Sequence, residues 1–88
     1  MHRHIIELGK WVSYVYLNDL NIGVLGVIDE LKANPSIKGR LMDIGFVPGA
    51  RIVPVMKNVG GNMVAYQVKG TIVALRKDDT SEIRVHVI

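Results

Sequence analysis

Thirteen residues, Gly39 to Arg51, leave the chain little freedom. Gly-Arg-Leu-Met-Asp-Ile-Gly-Phe-Val-Pro-Gly-Ala-Arg reads in succession as a helix end, a tight turn and a strand start. Ile37, Leu41 and Ile44 recur at i, i+4 and i+7, which sets three branched apolar side chains on one helix face and predicts that this face is buried. Gly45 follows directly, where a chain leaves a helix through the left-handed conformation that costs glycine least. Phe46 is then positioned to fold back on Leu41. Val47-Pro48-Gly49-Ala50 predicts a type II turn, because Pro48 pre-sets φ near −65° and Gly49 supplies the positive φ that follows. A strand is expected from about Arg51.

The rest of the chain is read outward from this stretch. Asn34-Pro35-Ser36 opens the helix, with either Asn34 or Ser36 as its cap; Gly39 inside it leaves packing to hold it together. Val24 to Leu31 reads as the first strand of the region, and Gly26 within it predicts a bulge or a close backbone approach. From Arg51 to Lys57 a second strand puts Ile52 and Met56 on one face and Val53 and Val55 on the other. Pro54, which has no N–H, belongs there at an edge or a bulge. Val64, Tyr66 and Val68 alternate against Ala65, Gln67 and Lys69, the clearest half-buried strand in the chain. Gly70 turns the chain into Thr71 to Arg76, where Val73 and Leu75 should face inward. Lys77 to Glu82 is a polar connection with room for one helical turn. Ile83, Val85 and Val87 then alternate inward in the last strand. Five short strands with turns between them point to a small barrel, which hides strand edges by curling the sheet.

Residues 1–16 form an N-terminal extension of undecided structure, and residues 17–88 the barrel domain. Ile5, Leu8, Val12 and Val15 have helical spacing, whereas Val12-Ser13-Tyr14-Val15-Tyr16 is rich in β-formers. Ile5, Ile6, Leu8 and Trp11 either pad one end of the barrel or form an apolar contact patch.

Composition narrows the class. Eighty-eight residues, 49% of them apolar, suit one domain with one core. With no cysteine there is no disulfide, no thiolate zinc site and no cysteine-held cluster, so a cytoplasmic setting is expected. No apolar run approaches the ~18–20 residues that span a bilayer. The formal charge of +3 is spread singly along the chain, without a Lys/Arg block or interleaved aromatics, so nucleic-acid binding is not expected, although a small basic barrel that binds RNA stays as an alternative. Neither a phosphate loop, a G-x-S-x-G elbow, an H-E-x-x-H helix nor a cysteine nucleophile is present, and an enzyme is not expected.

Three ordered blocks carry a resemblance. Arg40-Leu41-Met42-Asp43-Ile44-Gly45-Phe46-x-Pro48-Gly49-x-x-Ile52 resembles the signature of FeoA-like proteins, small cytoplasmic accessory proteins of bacterial and archaeal ferrous iron transport. Leu17-Asn-Asp-Leu20-Asn-Ile-Gly23-x-x-Gly26-x-Ile28 is similar to that family's opening pattern, and Gly70-x-x-x-Ala74-Leu75-Arg76 to a block near its end. The barrel of iron-dependent repressors of the diphtheria-toxin-repressor type shares the pattern, which keeps a metal-responsive regulatory barrel as an alternative. The resemblance implies a mainly β, SH3-like small β-barrel with one short α-helix between its first two main strands. It also implies a non-catalytic module that binds the cytoplasmic GTPase region of the FeoB transporter and meets a membrane only through that partner. A homo-oligomer stays open.

Two sets of residues are then candidates for function. His2 and His4, with Glu7 close by, could hold ferrous iron or another divalent metal, the plainer reading being two solvated side chains; no resident cofactor is expected. His86 reads as a surface histidine, and the scattered Met42, Met56 and Met63 read as core gap-fillers rather than a soft-metal site. The stronger set is the outer side of the helix and the adjoining turn: Arg40, Met42, Asp43, Phe46 and Arg51. A methionine between an arginine and an aspartate on a rigid helix is a mixture that interfaces favour. The plainer reading pairs Arg40 with Asp43 on the surface.

Overall fold

The clearest alternation in the sequence becomes one of the strands that line the core. The computed structural model describes residues 2–5 and 11–87, with side chains over 14–87. In chain order the elements are β1 (His2–Ile5), β2 (Trp11–Tyr16), a 3-10 turn (Leu17–Asp19), β3 (Gly26–Glu30), α1 (Pro35–Asp43), β4 (Arg51–Lys57), β5 (Met63–Val68), β6 (Thr71–Arg76), α2 (Lys77–Thr80) and β7 (Arg84–Val87). The strands pair antiparallel in the order β1-β2-β7-β3-β4-β5-β6. The sheet curls into a small barrel-like, SH3-like form without strictly closing, and α1 lies between β3 and β4 as expected. Among the described residues no helix is long and apolar enough to cross a membrane.

The N-terminal segment takes the strand alternative. Its β-rich residues 12–14 pair with β1, and Val15 and Tyr16 pair with Val85 and Arg84 of β7. That pairing decides against the helical spacing of Ile5, Leu8, Val12 and Val15. The side chains of His2, His4, Ile5, Ile6, Leu8 and Trp11, and Glu7 altogether, lie outside the described residues.

Period-two patterning fills the interior. Val64, Tyr66 and Val68 of β5 are buried, as are Ile28, Ile52 and Val85 from neighbouring strands, while Val73 and Leu75 pack against this cluster from β6. Three expectations change. A register shift between Pro54 and Met56 inserts Val55 as an extra residue, so Ile52 and Pro54 face inward together and Met56 is turned out, 65% exposed. Val87 is exposed because it lies opposite Gly26, which has no side chain to pack on it. At Gly26 itself a Cβ would come within 2.9 Å of Leu20 Cδ2 and 3.4 Å of Val85 Cγ2, so side chains and not a backbone make the close approach. The irregularity of β3 falls later, between Ile28 and Glu30.

One polar cluster is partly buried. Thr80, fully buried, donates its hydroxyl proton to Asn18 Oδ1 at 2.6 Å, and Asn18 Nδ2 donates to the Lys77 carbonyl at 2.9 Å. Tyr66 hydrogen-bonds the same threonine. Burial pushes the Tyr66 phenol up to about 12 from an ordinary value of 10, and the bond to Thr80 acts against that rise.

Candidate functional site

Local chemistry fixes α1 at both ends. Asn34 is its cap: Oδ1 accepts from Ser36 N at 3.0 Å and from Ser36 Oγ at 2.9 Å, and Pro35 is the first helical residue. At the other end Gly45 N–H donates to Met42 O (3.1 Å) and Phe46 N–H to Leu41 O (2.9 Å), with Gly45 at φ +104°. These two bonds make a Schellman motif, which satisfies carbonyls that the helix end would otherwise orphan. The expected type II turn follows directly: Ala50 N–H bonds Val47 O at 2.9 Å and Gly49 has φ +88°. Gly49 N–H to Ile28 O (2.7 Å) and Ile28 N–H to Ala50 O (2.9 Å) tie that turn to β3. From Asn34 to Arg51 the chain is thus one braced unit.

This unit sorts the expected site residues. Arg40, Met42, Asp43 and Arg51 are exposed, Met42 to 46%. Phe46 is a correction: its side chain is fully buried, edge-on to Tyr66 at 5.8 Å between ring centroids, because the cap folds it inward over Leu41. It positions the turn and has no surface to offer a partner. Among the described residues Arg40 and Asp43 form no ion pair, so the surface-pair reading fails. The methionines also depart from the gap-filler expectation, since Met42 and Met56 are exposed and Met63 is half-buried. Met42 owes this to its outward helix face and Met56 to the strand irregularity.

The apolar stripe of α1 is buried only in part. Leu41 is buried, Ile37 is half-buried and Ile44 is 37% exposed. At about 100° per residue, Ile37 and Ile44 stand roughly 20° apart and Leu41 about 40–60° to one side. Seating Leu41 in the core therefore turns the other two toward an open groove. That groove, about 540 Å³, runs between α1 and β6: Ile37, Leu41 and Ile44 form one wall, Ala74, Leu75 and Arg76 the other, with Arg40, Met63 and Asp79 around it. Ile44, Leu75 and Arg76 are groove residues that sequence reasoning did not single out as candidates. Their signal was present, since the 40–52 and 70–76 blocks carry the family resemblance and the fold brings them face to face.

A set of polar contacts joins β2, β3 and β7. His86 Nδ1 lies 2.5 Å from Asp29 Oδ1, Arg84 pairs with Glu30, and the Arg84 guanidinium stands 5.2 Å from the centre of the Tyr14 ring. Both His86 and Asp29 are exposed, as expected for the histidine. Among the described residues no three His, Asp or Glu side chains gather as a metal site.

Comparison with known proteins fits this geometry. The FeoA domain model matches residues 15–87. The chain is similar to the solution structure of iron(II) transport protein A from Clostridium thermocellum, with 28% identity and a TM-score of 0.79 over 84% of this chain and 46% of that one. The matched part thus spans about half of that protein. It is also similar to the zinc-complexed FeoA of Stenotrophomonas maltophilia, described as a prokaryotic SH3 domain protein, with 34% identity and a TM-score of 0.66 over 78% and 86% of the two chains. A likeness to T. acidophilum IdeR, at 23% identity and a TM-score of 0.75 over 88% of this chain and 35% of that one, concerns the fold alone. Comparison with curated protein sequences finds no match.

Proposed function

Because the chain belongs to the FeoA domain family, we propose that it is a non-catalytic accessory module of ferrous iron transport. It acts in the cytoplasm, binding the cytoplasmic part of the FeoB transporter and adjusting its assembly or activity. The observation that carries this reading is Met42, exposed between Arg40 and Asp43 on a helix braced at both ends. An apolar side chain held among unpaired charges on a rigid frame gives up little conformational freedom when a partner covers it, which favours association. Arg51 is exposed beyond the turn, and Ile44 of the same helix end lines the groove.

The test is an NMR titration of the isotopically labelled chain with the cytoplasmic GTPase region of FeoB from the same cell. Saturable shifts clustered on Arg40 to Arg51 are expected. Replacing Met42→Glu should weaken the association at least tenfold while leaving the spectrum of the free chain folded. A flat titration overturns this reading, and the zinc-bound state of the S. maltophilia relative then makes zinc or ferrous binding by His2 and His4 the next to examine.

A further inference from the structure

The groove reaches residues 74–76 of β6, an edge strand whose outer main-chain bonding is unused among the described residues. Val68 and Thr71 are joined by Lys69 and Gly70 at φ 50° and 75°, the two-residue connection whose twist suits a tight hairpin. Val68 and Thr71 are then a hydrogen-bonded pair. Since antiparallel ladders alternate, Tyr66 with Val73 and Val64 with Leu75 are bonded pairs too. Ile72 and Ala74 are left with N–H and C=O directed away from β5, on the side where the sheet ends among the described residues. Edges of this kind are commonly blunted by lysine, proline or a bulge. Thr71-Ile72-Val73-Ala74-Leu75 has none of these, its register with β5 runs without a shift, and Ile72 is 63% exposed.

What lies across the groove decides the occupant. Its far wall is α1, so an added strand would bond β6 on one side and be covered by Ile37 and Ile44 on the other. A second copy of this chain pairing through its own β6 would bring β5 along, into the space that α1 fills. The groove therefore suits one extended segment and not the edge of another sheet. Alternation sorts the side chains of such a segment: inward ones meet Leu41 and Leu75, and outward ones lie beside Ala74 and Arg76, with Arg40 near. Two arginines against the single carboxylate of Asp79 leave the groove positive. Neither arginine has an ion-pair partner among the described residues.

We propose that the α1–β6 groove binds one extended peptide segment of a partner protein, added to the β6 edge as a further strand with apolar side chains inward and acidic side chains outward. Main-chain bonds to Ala74 in the groove, and to Ile72 where the segment continues past it along β6, supply affinity, and Arg40 and Arg76 select for acid. The proposal deepens the docking reading and rests on it only for the source of the segment.

The experiment uses the full isotopically labelled chain and a blocked hexapeptide of alternating valine and glutamate, with a valine–lysine hexapeptide as control. The acidic peptide is expected to bind saturably and to slow amide exchange at Ile72 and Ala74 at least tenfold, and the basic one to bind at least tenfold more weakly. Ala74→Pro removes only an outward-facing donor and should abolish binding; Arg76→Glu, which leaves the backbone untouched, should reverse the preference between the two peptides. No saturable shift at millimolar peptide overturns the proposal, as does binding without slowed exchange at Ile72 and Ala74. A flat FeoB titration beside a bound peptide would reject the docking reading and leave strand addition standing. Binding of FeoB beside a failed peptide would reject strand addition alone.

Discussion

A methyl group on Gly49 would meet no atom within 4 Å, so space is no obstacle to a side chain there; the obstacle is a φ of +88°. Gly49→Ala should therefore destabilise the chain by about 1 kcal/mol or more through backbone strain alone. In a domain of this size that lowers the melting temperature by roughly 4–8 °C per kcal/mol, and an unchanged thermal melt would show that the turn stores no such demand. Gly45 differs, because a Cβ there would also press to 3.0 Å from Lys69 Cδ. Both positions were legible in the sequence, since a cap and a type II turn are decided by a few consecutive residues. The fates of Phe46 and Met56 were not. Phe46 was correctly tied to Leu41, but how deep the fold-back carries it depends on Tyr66, a residue distant in sequence. The facing of Met56 depends on the irregularity beside Pro54, which moves the strand by one residue and reverses its parity.

At the scale of elements, α1 depends on its first turn more than its length suggests. With nine residues, one of them glycine, it is too short to be stable alone, and Asn34 supplies its cap bond. Asn34→Ala should cost about 1 kcal/mol by chemical denaturation, whereas Ser36→Ala, which removes only the hydroxyl, should cost less. Equal losses in the two variants would assign the effect to the Ser36 hydroxyl. The helix, the two turns and the β5–β6 hairpin could be read from sequence because their bonds join near neighbours. The strand character of residues 11–16 was less legible, because only residues 11–14 pair with the nearby β1, while Val15 and Tyr16 pair with β7 at the other end of the sequence. The groove was hidden for the same reason: α1 and β6 show their motifs separately, and nothing in either indicates that they face each other.

For the molecule as a whole, Tyr66, Thr80, Asn18 and Lys77 join β5, α2 and the 3-10 turn into one partly buried polar link. The folded chain holds the Tyr66 proton more tightly than the unfolded chain, whose phenol loses it near 10. This contribution is whole below pH 10 and is lost as pH rises toward about 12. Across that window the native chain should lose up to ~3 kcal/mol that Tyr66→Phe, which has no phenol to ionise, does not lose. Denaturation midpoints measured at several alkaline pH values check this, and parallel curves for the two proteins would remove Tyr66 from alkaline unfolding. Topology has a further effect through β7, the last strand in sequence but an interior one in the sheet, held between β2 and β3. As the chain leaves the ribosome, the hairpins from β4 to β6 can zip by local contacts. The β3 edge, however, stays uncovered until residues 84–87 arrive and insert themselves. Synthesis order thus runs against assembly order, since a strand held in the interior of the sheet is made after both of its neighbours.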